Sequence, residues 1–254
     1  MARHVAFAPD SAIRQIHNEG VLLLGGGRAL LMQLAHPSVA AAVAEHSDYR
    51  SNRLRRLLDT LRPMYAIAFG TPTQAYEAAQ RVNALHGRVR GATYRATDPE
   101  LLAWVLATLI DSALVVHSRF LRPLGPDEAE RYYRDMLRVG TLLRIPDGAM
   151  PSDVPGFHRY FGRMADSLAI SDEARLLARA LFEPLPGSGP LMPLTRELTA
   201  GLLPPRLRHE YGFGWGPTRE ALLDVTASVS RRVLPLVPTS LRRPPSFLLP
   251  PNVT

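Results

Sequence analysis

One histidine stands where an iron ligand could stand. In Arg81-Val82-Asn83-Ala84-Leu85-His86-Gly87-Arg88-Val89-Arg90, helical spacing puts Val82, Leu85, His86 and Val89 on one face, and Arg90 follows His86 by one turn. An imidazole aimed into an apolar space can ligate a metal, and a guanidinium close by can neutralise a carboxylate. A protein that holds haem by a single axial histidine and anchors its propionates needs both. The same pattern also suits a core histidine bonded to a backbone carbonyl, and the residues leave both readings open.

Other polar residues in apolar company are fewer. Trp104, Thr108, Asp111 and Val115 form one stripe of an apolar helix. A carboxylate there is costly unless paired, so Asp111 is expected either to meet an arginine or to serve as a pocket carboxylate. His36 and His46 flank one short helix, as loop ties or as the polar wall of a pocket. His117 sits near the end of the apolar helix, where it meets the negative end of the helix dipole.

Several chemistries are excluded. The chain has no cysteine, so disulfides, thiolate metal sites and a cysteine nucleophile are absent. There is no Glu-x-x-His pair for a di-iron bundle and no His-Glu-x-x-His zinc helix; His209-Glu210 runs into Tyr211-Gly212-Phe213. Gly187-Ser188-Gly189 is loop sequence rather than a nucleophile elbow. Gly25-Gly26-Gly27-Arg28 lacks the last glycine of a dinucleotide loop and is expected to form a tight turn. The net charge of +7 comes entirely from arginines interleaved with acids, without an aromatic-plus-basic strip, so no nucleic-acid partner is expected.

The elements that must position these residues are helical. With 254 residues and 46% hydrophobic content, the chain can bury a substantial core. Helices are expected over 11–19, 28–35, 38–45, 52–69 (broken or kinked near Pro63), 74–89, 97–120, 127–139, 152–169, 171–182, 194–203, 205–211 and 217–234. Thr97 and Glu100 should form a capping box, Gly70 to Thr73 a turn, and 183–193 a loop. Leu101 to Val116 is shorter than the roughly 20 residues of a membrane span and contains Asp111, so it reads as a buried central helix. Membrane contact is at most peripheral, and a cytoplasmic location is expected, since residues 1–10 lack a signal-type apolar segment. No strand pattern appears. The fold class is all-α, with one helical domain over 1–234 and a proline-rich arm, extended or disordered, over 235–254.

The ordered series Gly26-Gly27-Arg28-Ala29-Leu30-Leu31, Gln33 to Ala40, Glu45-His46-Ser47, Arg53-Leu54-Arg55-Arg56, Phe69-Gly70-Thr71, Arg81 to Arg90 and Trp104 to Ser112 resembles the MpaB and rubber oxygenase catalytic-domain family over roughly residues 13–146. The resemblance implies a globin-like helical core, haem b, and dioxygen chemistry on a small or lipid-like apolar substrate. It also implies His86 as axial iron ligand within an Arg-Val-x-x-x-His-x-x-Val-Arg motif, with Arg90 and Arg81 as its cofactor-binding companions. Arg56 and Thr60 are the nearest matches to a distal arginine and threonine, and Asp111 joins them as a catalytic candidate. The chain departs from the family in two places. It has no lysine to serve as the sixth ligand used by some members, so an open or water-bound distal position is expected. Leu106 stands where many relatives carry histidine. The rival readings are a haem sensor or carrier without turnover and a haem-free helical binding module.

Overall fold

The computed structural model describes residues 7–46, 53–183 and 191–251, with backbone alone for 53–57 and 191. Among the described residues there are thirteen α-helices and no strand; the nearest thing to a sheet is an isolated bridge between Arg90 and Arg95. The helices are α1 (Ala12–His17), α2 (Gly25–Leu34), α3 (Pro37–His46), α4 (Arg53–Phe69), α5 (Pro72–His86), α6 (Pro99–Phe120), α7 (Pro126–Leu142), α8 (Val154–Ser167), α9 (Asp172–Leu181), α10 (Leu191–Leu202), α11 (Pro205–Glu210), α12 (Pro217–Val233) and α13 (Thr239–Arg242).

Helix α6 is the axis of the molecule. It is long and apolar enough to cross a membrane, yet 72% of its most apolar window is buried inside the fold. Helices α2, α7, α8 and α12 pack around it. Trp104 is fully buried on α6, stacks on Phe161, and donates its indole N–H to the Met32 carbonyl at 3.1 Å. Tyr211 donates to the neighbouring Leu31 carbonyl at 2.7 Å. The two side chains bond carbonyls of the last turn of α2 and so hold that helix end in place.

The glycine run is not a turn. Residues Gly20–Leu24 form a 3-10 turn and the glycines open α2. A Cβ on Gly25 would lie 3.1 Å from Val116 Cγ2 and 3.3 Å from the Ser112 carbonyl, and one on Gly27 would collide with Thr199. Glycine is there because α2 lies directly against α6 and α10.

Two local readings differ from expectation. Pro63 does not break α4, which runs through it to Phe69. Helix α6 begins at Pro99 with Asp98 as N-cap; the Asp98 carboxylate turns back to the Arg95 N–H at 2.9 Å, so the Thr97–Glu100 box does not form. The box that does form is Thr71 with Gln74, opening α5. There Pro72 takes the first helical position, which needs no N–H donor.

The tail is neither fully extended nor free over its described residues. Leu234–Leu236, α13 and Ser246–Leu248 are short helical turns separated by prolines. Leu248 is buried in the core, and the turn it ends packs on α4. Arg62 of α4 reaches the Phe247 carbonyl at 3.4 Å, and Arg242 pairs with Glu19 at 3.4 Å. The expected loop over 183–193 falls mainly on 184–190, outside the described residues, and α10 starts three residues ahead of expectation at Leu191.

Candidate functional site

Helices α3, α4, α5 and α6 supply most of the lining of a half-open cavity of about 580 Å³, a volume that suits a drug-sized or larger ligand. Val82, Leu85, His86 and Val89 all line it, so the apolar face that carries the histidine is the cavity wall. Val43 of α3, Met64 and Ile67 of α4, and Val105 and Leu109 of α6 supply much of the rest.

The aim of His86 is set by α5. The buried Asn83 donates its side-chain amide to the Leu142 carbonyl at 2.9 Å, which fixes the helix in rotation about its axis. His86 is the last helical residue, and its Nδ1 is buried without a hydrogen-bond partner. With Nδ1 buried, Nε2 is the one ring nitrogen that could present a lone pair to the cavity that His86 lines. Burial pushes the His86 pKa below its usual value, which keeps the imidazole neutral and able to ligate a metal.

The guanidiniums expected around it are elsewhere. The helix ends at Gly87, where the backbone entropy of glycine weakens a further turn, so Arg90 is not one helical turn beyond His86. The exposed Arg90 contributes a backbone carbonyl instead, bonded to His46 Nε2 at 3.0 Å. Arg81 is exposed and faces Glu77 at 3.9 Å. Among the described residues no arginine lines the cavity. Thr60 does line it, from α4, beside Asp59. The Arg56 side chain lies outside the described residues.

Asp111 is not in the cavity wall. Its carboxylate meets Arg28 Nη2 at 2.5 Å, with both side chains buried, and Arg28 also bonds Ser112 Oγ and the Leu202 carbonyl, each at 2.8 Å. It thus meets the first of the two expectations for a buried carboxylate, an arginine partner, and the pair ties α6 to α2. Leu106 is buried in the core rather than in the lining.

His46 fulfils both of its expected roles, a tie to the Arg90 turn and a polar part of the cavity wall. His36 accepts from the Ser38 N–H at 3.2 Å and stays outside the lining. His117 bonds the Arg122 carbonyl at 2.7 Å. The residue passed over in the sequence is Gln33, quoted above only as part of a motif. The available signal was one amide in the apolar run Leu30 to Ala35, and its side chain lines the cavity.

Among the described residues no three of His, Cys, Asp or Glu converge to hold a metal by side chains alone. An iron held here would need equatorial ligands of its own, as a porphyrin provides, with one imidazole from the protein. The apolar walls and the unpaired His86 fit that group on its axial side. Among the described residues no arginine lines the cavity to meet the carboxylates such a group would carry.

A family model described as "ER-bound oxygenase mpaB/B'/Rubber oxygenase, catalytic domain" matches residues 13–232. Two curated relatives, uncharacterized proteins of Mycobacterium bovis and Mycobacterium tuberculosis, are each 28% identical over 222 residues, covering 82% of this chain and 87% of the relative. No solved structure matches the chain.

Proposed function

Since the chain belongs to the mpaB/B'/rubber oxygenase catalytic-domain family, we propose that it is a haem b-dependent oxygenase that uses dioxygen on a small or lipid-like apolar substrate. The observation that carries this reading is His86, a neutral imidazole without a partner on the wall of an apolar cavity of about 580 Å³.

Haem, when bound, supplies the dioxygen chemistry. The protein's part is divided among named groups. His86 would hold the iron through Nε2, and Asn83 keeps the helix behind it from turning. Val82, Ile67, Val105 and Leu109 exclude water and accept an apolar substrate. Thr60 brings a hydroxyl to the cavity from α4. The reading gives no role to Asp111, Arg81 or Arg90 in holding substrate or cofactor.

Absorbance of the purified chain titrated with haem tests the proposal. The wild-type protein is expected to develop a Soret band, and His86→Ala to bind haem at least tenfold more weakly with a changed spectrum. The same spectrum in both, or no band in either, overturns it. Oxygen uptake with apolar candidates then separates turnover from storage.

A further inference from the structure

We propose that Gln33 makes the cavity selective for apolar molecules that carry a single hydroxyl or N–H donor. This deepens the oxygenase reading, and rests on it only in calling the bound molecule a substrate.

Gln33 lies in the last turn of α2, whose neighbouring carbonyls are held by Trp104 and Tyr211. Its side chain is half-buried and lines the cavity. Its Nε2 donates to Thr108 Oγ1 at 3.1 Å. Thr108 is wholly buried and donates its own hydroxyl to the Val105 carbonyl at 2.7 Å. A threonine hydroxyl has one proton, and that proton is already committed. Thr108 can therefore meet Gln33 only as an acceptor, which sets the amide with nitrogen towards Thr108 and leaves Oε1 without a partner among the described residues.

Gln33 thus brings a fixed amide acceptor to a wall whose polar side chains are otherwise Ser38, His46, Asp59, Thr60 and His86, and whose remaining lining is largely apolar. A molecule without a donor strips water from Oε1 and returns nothing. A molecule with one O–H or N–H at that wall restores the bond. A carboxylate would set its lone pairs against Oε1, and among the described residues no arginine lines the cavity to compensate. The class that fits is an apolar alcohol, phenol or secondary amide.

The test compares 1-naphthol with 1-methoxynaphthalene and naphthalene, binding to the whole chain being followed by probe fluorescence. Naphthol is expected to bind about tenfold tighter than the two probes without a donor. Gln33→Leu should erase that preference. Thr108→Val, which frees the amide to turn over, should strengthen 1-methoxynaphthalene binding and narrow the gap, and it serves as the second variant if Gln33→Leu does not fold. Equal affinities in the wild type, or a preference that survives in Gln33→Leu, overturns the inference. Soret absorbance after haem addition, recorded on the same preparations, keeps the two readings apart. A Soret band that depends on His86 but comes with no naphthol preference sinks the Gln33 inference alone. A naphthol preference without any Soret band supports it while sinking the oxygenase reading.

Discussion

His86 and Asp111 are both polar groups on apolar helix faces, yet the structure treats them in opposite ways. Asp111 is met by Arg28 at 2.5 Å, and Arg28 in turn has Ser112 and the Leu202 carbonyl as further acceptors. His86 Nδ1 has no partner, and its ring faces a cavity. Buried polarity is costly in both places. Where a second side chain offsets the cost, the group is part of the frame. The His86 ring is not tied into the frame in this way, and it borders the cavity.

Removing half of the paired site should have the largest effect. Asp111→Ala strands the Arg28 guanidinium in the core and is expected to destabilise the fold by about 3–5 kcal/mol, measured by urea unfolding. Replacing both residues, Arg28→Met with Asp111→Leu, should recover most of that loss. A single-site loss below about 1 kcal/mol would break the comparison, because the pair would then not be framing the core.

His17 is another imidazole whose protonation burial opposes, and it sits on the paired side of the contrast. Its Nε2 shares a 3.1 Å hydrogen bond with the Tyr132 hydroxyl, and burial lowers its pKa from 6.5 to about 4. The folded state therefore binds the proton less readily than the unfolded chain. The stabilising contribution is full above about pH 6.5 and is lost as pH falls towards 4, on the order of 3 kcal/mol in total. Urea midpoints across that window should fall in the wild type, and fall less in His17→Gln.

His86→Ala should move stability by no more than about 1 kcal/mol, since it deletes a group that bonds nothing in the protein. Its effect belongs in the haem titration instead. A melting temperature that collapses in this variant would put His86 with Asp111 in the frame. The smallest effects are expected for Arg81→Ala and Arg90→Ala, each within about 0.5 kcal/mol for an exposed side chain. Haem affinity should be unchanged in both. A clear loss of affinity in either would show that the anchors close over the cofactor when it binds.

Much of this was legible in the chain. The stripe Val82, Leu85, His86 and Val89 is a periodic signal, and periodicity is set locally, so it survives intact as the cavity wall. The apolar run of α6 likewise had to be buried. What was not legible depended on partners distant in sequence. Asp111 had an arginine or a ligand as its prospects, and the choice lay with Arg28, 83 residues away. Arg90 was placed by extending a helix that stops at Gly87. Gly25 and Gly27 read as a turn because glycine's other use, the close approach of two helices, needs the second helix in view. Gln33 gave one weak signal, and its meaning rests on the committed proton of Thr108.

The docking of Leu248 and Phe247 on α4 bears on the order in which the cavity is secured. The Arg62–Phe247 hydrogen bond joins residues 185 positions apart, and the reach of Gln74 to the Pro251 carbonyl spans 177. Closing loops of that length costs entropy that only a largely assembled core can offset. Helix α4, which carries Thr60, Met64 and Ile67, is then braced from outside by contacts of a late-forming kind. In native-state hydrogen exchange, the amides of α4 and of residues 246–249 should open together, ahead of α6. Access to the cavity through that wall would be governed by the release of a strap, with no movement of the helix that bears the histidine.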